Sequence, residues 1–187
     1  MLSRIEPAER PYPADMEETL AKLMPPGMEP LLLFRVLARE PRLFRRFMGG
    51  GLLDKGSLGL RDRELAIARA CARCGAEYEW GVHMALFGAR AGFNEAERRA
   101  TLEDGASYAG WSARDRLIIR LIDALHDAAT IDDALWSELR AADFSDGQAL
   151  ELIMLAGFYR TVSYLVNGLR LSPESFAERF PVAREHV

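Results

Sequence analysis

The chain has 187 residues, 49% of them hydrophobic and 28% charged, with a formal net charge of −4. That length fits one domain with a sizeable core, and the composition is that of an ordinary soluble globular protein. The acidic balance argues against a nucleic-acid partner, and two cysteines are too few for a disulfide scaffold.

Residues 1–14 contain Pro7, Pro11 and Pro13 and are expected to form an extended, poorly packed arm ahead of a single domain over 15–187. The N-terminal residues show no apolar run of the signal-peptide kind, so a cytoplasmic protein is expected. Asp15 is placed as the N-cap of a short helix ending before Pro25. Leu32, Val36, Leu33 and Leu37 have helical spacing in a second helix over 29–40. Pro41 then opens a third that Gly49, Gly50 and Gly51 stop.

From Leu60 the pattern is helical to Cys74, where Gly75 is a natural terminator, and a further helix is expected from Ala76 to Ala91, closed by Gly92. Ser112 and Asp115 read as a capping box opening a helix to Ala128. Asp132 or Asp133 can cap another to Ala142, and Ser145 a last long one to Leu169. The apolar stretch 149–169 is interrupted by Glu151, Arg160 and Asn167, which suits a buried helix better than a membrane span. No run alternates with period two. The expected architecture is therefore all-α, with a helical hairpin over 60–91 at its centre.

In the first helix of that hairpin Leu60, Glu64, Ile67, Cys71 and Cys74 make one apolar stripe with Glu64 as its only charged member, while Arg61, Arg69 and Arg73 fall on the opposite face, expected to meet solvent. The second helix is apolar almost all round yet carries Glu79 and His83 four residues apart. A buried carboxylate or imidazole needs a partner, so Glu64 is expected to face His83 across the hairpin, with Glu79 beside them. A carboxylate against an imidazole fixes its tautomer and raises its basicity, and two carboxylates in one dry pocket are driven apart in pKa. The same three residues also fit a purely structural ion-pair cluster that fixes helix register.

Cys71 and Cys74 form a CxxC, but in the last turn of a helix, where the dipole disfavours a thiolate; with no second cysteine pair and three histidines, a zinc site is not expected. His126 is placed on the surface near a helix end, and His186 in the tail. Arg35, Arg39, Arg42, Arg45 and Arg46 make a basic stretch that reads as a solvated face or an intersubunit contact. In the last helix Arg160, Ser163, Asn167 and Arg170 make a polar line that either reaches the pocket to hold an anionic substrate or crosses a subunit interface.

Arg63-Glu64-Leu65-Ala66-Ile67, Glu77-Tyr78-Glu79-Trp80, His83 and Gly92 resemble the carboxymuconolactone decarboxylase family, which includes the alkylhydroperoxidase D-like proteins; Tyr159-Arg160 and Asn167-Gly168-Leu169 resemble its longer members. The resemblance implies an all-helical, alkylhydroperoxidase D-like bundle that assembles as a trimer or hexamer. In the peroxidase branch a Glu, two cysteines and a His follow one another at fixed spacing. Laid on this chain the Glu falls on Glu64 and the His on His83, while the cysteine positions fall on Ala76 and Glu79. Cys71 and Cys74 stand five residues too early.

The leading expectation is an acid–base enzyme without metal or organic cofactor. It would act on a small organic acid or lactone by decarboxylation or isomerisation, with His83, Glu64 and Glu79 catalytic and Tyr78, Trp80, Arg160 and Asn167 binding substrate. The alternatives are a thiol-dependent hydroperoxide reductase using Cys71 and Cys74, and a non-enzymatic oligomer.

Overall fold

A computed structural model describes residues 3–12, 14–25, 27–52 and 54–181. Within them the chain forms α1 (Ala14–Leu23), α2 (Leu32–Leu37), α3 (Pro41–Gly50), α4 (Leu60–Arg73), α5 (Glu77–His83), α6 (Glu95–Ala100), α7 (Ala113–Ala128), α8 (Asp133–Ala141) and α9 (Asp146–Gly168), and no strand among the described residues. The fold is all-α, as the periodicity predicts. His186 lies outside the described residues.

Helix boundaries follow from side chains that satisfy the first backbone N–H groups. Ser112 and Asp115 cap α7 reciprocally, Ser145 and Gln148 do so for α9, and Asp132 accepts from the Leu135 amide at the start of α8. Asn94 and Glu97 form a third reciprocal box and open α6, a short helix that the hydrophobic pattern does not announce.

α4 is the axis of the molecule, packed against α5, α7 and α9. Every residue from Glu64 to Cys71 is buried, so this helix has no solvent face over two turns. The expectation of exposed arginines opposite Glu64 therefore fails for Arg69, which is 7% exposed. Its guanidinium bonds Asp123 Oδ1 at 2.7 Å and Oδ2 at 3.0 Å and the Thr101 carbonyl at 2.8 Å. Arg61 is half-buried and reaches both Asp115 and Glu97. The reason is α7, which covers the face that the sequence assigns to water.

The helix expected over 76–91 is divided. Its α-helical part stops at His83, and Met84–Gly88 continues as a π-helical turn, a local widening that often marks functional sites. The C-terminal segment crosses the outer side of α5. A Cβ on Gly81 would lie 2.0 Å from the Glu178 carbonyl oxygen, and the Glu178 amide donates to the Gly81 carbonyl at 3.1 Å, so this close crossing requires glycine.

Residues 3–12 are also held rather than loose. Tyr12 is buried, the Arg4 amide donates to the Leu169 carbonyl, and the Ala8 amide to that of Arg35. Tyr12 joins Met16, Leu20, Ala38 and Phe44 in a small core of its own, and α1–α3 thus form a layer laid over α5 and α9. α9 is long and apolar enough to cross a membrane by length and composition. Here its inner line of Leu152, Leu155, Tyr159, Val162 and Val166 is buried against the bundle.

Candidate active site

Glu64, from the middle of α4, and His83, from the last turn of α5, meet across the hairpin. His83 Nδ1 lies 2.7 Å from Glu64 Oε2. Glu64 is 1% and His83 6% exposed. The other oxygen of Glu64 accepts from Arg63, at 3.1 Å to Nε and 3.0 Å to Nη2, so the carboxylate is fixed on both sides. Its helix neighbour thus provides the counter-charge that a buried carboxylate needs.

On the far side of the imidazole, Nε2 lies 3.3 Å from Glu79 Oε1, the pair set by their spacing of four along α5. Tyr159 of α9 brings its hydroxyl to 3.2 Å from the same nitrogen, with its ring edge-on to the imidazole. Both ring nitrogens of His83 thus have partners. Glu79 Oε2, in contrast, is buried and has no hydrogen-bonding partner among the described residues.

Burial opposes charge on His83, but hydrogen bonds to Glu64 and Glu79, and then their negative charges, outweigh it and raise the imidazole to about 9. At neutral pH His83 is accordingly an imidazolium that donates from both nitrogens. Burial and the nearby Glu79 and Glu64 charges push the Tyr159 phenol well above its ordinary value, so it remains neutral.

Glu79, His83 and Tyr159 are the polar side chains on a cavity of about 100 Å³. The rest of its wall is apolar: Val82, Leu86 and Phe87 follow from α5 and its π turn, Phe158 and Val162 from α9, and Leu31, Phe34, Phe47 and Met48 from the overlying layer. No arginine or lysine lines it among the described residues. Nor does any group of three or more His, Cys, Asp or Glu side chains there have an arrangement that could hold a metal ion.

The structure brings together Glu64, Glu79 and His83 and sends the other four candidates elsewhere. Tyr78 donates to Glu174 Oε1 at 2.5 Å and accepts from the Leu33 amide, tying the C-terminal segment to α2. Trp80 turns to the opposite side of α5, where its indole N–H bonds Thr101 Oγ1 at 2.9 Å. Asn167 caps the Cys74 carbonyl. Arg160 lies one residue beyond the one that reaches the imidazole: Tyr159 faces His83, while Arg160 points out to the His126 carbonyl and the Tyr164 hydroxyl. Tyr159 and Arg63 are the site residues that sequence reasoning passes over. The buried line of α9 and the place next to Glu64 are the signals that would have found them.

The two cysteines occupy different settings. Cys71 is fully buried, and burial, with Glu79 next, pushes its thiol well above the ordinary range. Cys74 is half-buried, 3.9 Å from His126 Nδ1, in a separate cleft of about 610 Å³ that Arg160 also lines. His126 is thus half-buried against α4 rather than on the open surface. Burial, then Arg73 and Arg160, lowers its basicity. Neither cysteine lines the His83 cavity.

Residues 40–119 match the model of the carboxymuconolactone decarboxylase family. No curated protein matches the sequence. Among solved structures, the fold is similar to an alkylhydroperoxidase AhpD core, a peroxidase-related protein from Ralstonia eutropha JMP134, with a TM-score of 0.83, 19% identity and 94% of each chain covered. A peroxidase-related protein from Silicibacter sp. TM1040 follows at 0.81, 16% identity and 92% of each chain. The debrominase Bmp8, as a cysteine-to-alanine variant in complex with 2,3,4-tribromopyrrole, is similar at 0.74, 16% identity and 94% of each chain.

Proposed function

We propose that this chain, whose residues 40–119 match the carboxymuconolactone decarboxylase family model and whose fold is similar to AhpD-like structures, is an acid–base enzyme whose proton-transferring groups all come from the chain itself. The reading is supported by one arrangement: an imidazolium bracketed by Glu64 and Glu79 beside an apolar cavity, with one oxygen of Glu79 left open. Relatives in fold include peroxidase-related proteins and a debrominase, so the fold alone does not decide the reaction.

In this reading Glu64, locked by Arg63, holds the imidazole through Nδ1 and is a positioning residue. His83 delivers a proton from Nε2, the nitrogen on the cavity side, and Glu79 withdraws one. The two groups lie 3.3 Å apart, so a direct transfer from Glu79 back to His83 resets the pair. The net change is a proton moved from one atom of the substrate to another, the chemistry of isomerisation or tautomerisation. A cavity without a lysine or arginine and faced by Glu79 favours a neutral substrate, such as a lactone, over a free carboxylate. Acid–base groups of this kind contribute about 10²–10⁴-fold each.

A homo-oligomer belongs to the same proposal. Leu150, Met154 and Tyr164 of α9 are 61%, 53% and 62% exposed, an apolar face suited to a second copy.

The test is a screen of small neutral lactones and enols for carbon-bound hydrogen exchange with D₂O, followed by NMR. Wild-type protein is expected to accelerate exchange on at least one, His83→Gln to lose it, and a Cys71→Ala, Cys74→Ala double variant to keep it. Equal exchange by wild type and His83→Gln overturns the proposal, as does loss of activity in the cysteine variant alone.

A further inference from the structure

The open oxygen of Glu79 also bears on what the cavity receives. A buried carboxylate oxygen without a donor costs on the order of 1–3 kcal/mol or more, and native proteins rarely retain one without use. Glu79 is 9% exposed at its side chain, and its other oxygen is engaged by His83. Oε2 is therefore a buried acceptor with nothing to accept, on a side chain that lines the cavity. The rest of the cavity is lined by aromatic and aliphatic groups, chiefly Phe34, Phe47, Phe87, Phe158 and Leu31.

Three properties of an occupant follow. It is neutral, because a carboxylate there would face Glu79 with no lysine or arginine on the wall. It is of ring size, because the cavity of about 100 Å³ is of the scale at which an apolar cavity of roughly 150 Å³ takes up benzene. It carries an O–H or N–H donor, because that is what Oε2 lacks and the apolar wall cannot supply. The Tyr159 hydroxyl and Glu79 Oε1 both lie against His83 Nε2, while Glu79 Oε2 has no partner among the described residues.

We infer that this cavity binds small, uncharged, ring-sized molecules bearing one O–H or N–H, held by donation to Glu79 Oε2. This deepens the acid–base reading of the same site and rests on it: the donated proton is the one Glu79 would withdraw.

Binding without turnover separates the two claims. Phenol, toluene and benzoate are of similar size and differ in donor and charge. Calorimetric or NMR titration of the wild-type protein is expected to show saturable phenol binding, toluene about 10- to 100-fold weaker, and no saturable binding of benzoate. In Glu79→Leu the preference for phenol over toluene is expected to fall to about 1. Equal affinity for phenol and toluene in the wild-type protein overturns the inference, as does benzoate binding tighter than phenol, or a phenol preference that survives Glu79→Leu. The wild-type comparison is decisive even if that variant fails to fold. A donor preference found without any hydrogen exchange on carbon would leave this inference standing and remove only the catalytic reading.

Discussion

α4 carries buried charge on two opposite faces, and the two clusters end differently. Toward α7, Arg61 and Arg69 meet Asp115, Glu97, Asp123 and the Thr101 carbonyl, and each carboxylate there is engaged by a guanidinium. Toward α5, Arg63, Glu64, His83, Glu79 and Tyr159 form a chain of contacts that stops at an oxygen without a partner, on a cavity. Burial and charge are common to both. Among the described residues the α7 side also leaves one atom without a hydrogen bond, Arg73 Nε, but it faces its counter-charge with Asp123 Oδ1 at 3.6 Å, whereas Glu79 Oε2 is an acceptor without any donor on a side chain that lines a cavity.

This contrast can be broken by mutation. The largest effect expected is on activity: His83→Gln should lower turnover of a substrate found by the exchange screen by about 10²–10⁴-fold while circular dichroism and the melting transition remain those of a folded protein. On the other face, Arg69→Met should strip Asp123 of its two-pronged partner, leaving only Arg73 at 3.6 Å, and cost up to about 3–5 kcal/mol of stability. Denaturant titration measures that loss, and kcat of the remaining folded protein should be unchanged. A loss of turnover in Arg69→Met as deep as that of His83→Gln would dissolve the distinction.

A third effect is expected with pH. The imidazole of His83 is raised in the fold from 6.5 to about 9. Its stabilising contribution is therefore whole below pH 6.5 and is lost as pH rises through about 9, up to roughly 3 kcal/mol. Unfolding titrations between about pH 6 and 10 should show this fall in the wild-type protein, and His83→Gln should lack it. Arg69→Met leaves His83, Glu64 and Glu79 in place, so it should retain the slope. The smallest effect sharpens the structural side: Asn94→Ala removes the cap that holds Glu97 against Arg61 and should cost about 1 kcal/mol, read in the same titrations.

The meeting of Glu64 with His83 was legible because an apolar stripe with one charged member demands a partner, and the Gly75 break folds the next helix back across it. The status of Arg69 was not legible. A pattern of polar residues marks a face as polar, and cannot distinguish water from an acidic neighbour such as Asp123. Choosing Arg160 over Tyr159 has a related cause. α9 is apolar on its buried line and also at exposed Leu150 and Met154, so its polar line through Arg160 does not by itself mark which face turns inward. α6 was missed because one and a half turns carry too little periodicity, although Asn94 and Glu97 already formed a capping box in the sequence.

The protonation state of His83 tests the account most directly, and needs no substrate. Nitrogen-detected NMR of the imidazole, at about pH 7 and in titration upward, distinguishes imidazolium from either neutral tautomer. The account predicts both ring nitrogens protonated at about pH 7, titration near 9, and a lower midpoint in Glu79→Gln. A neutral imidazole at about pH 7 in the wild-type protein would contradict it.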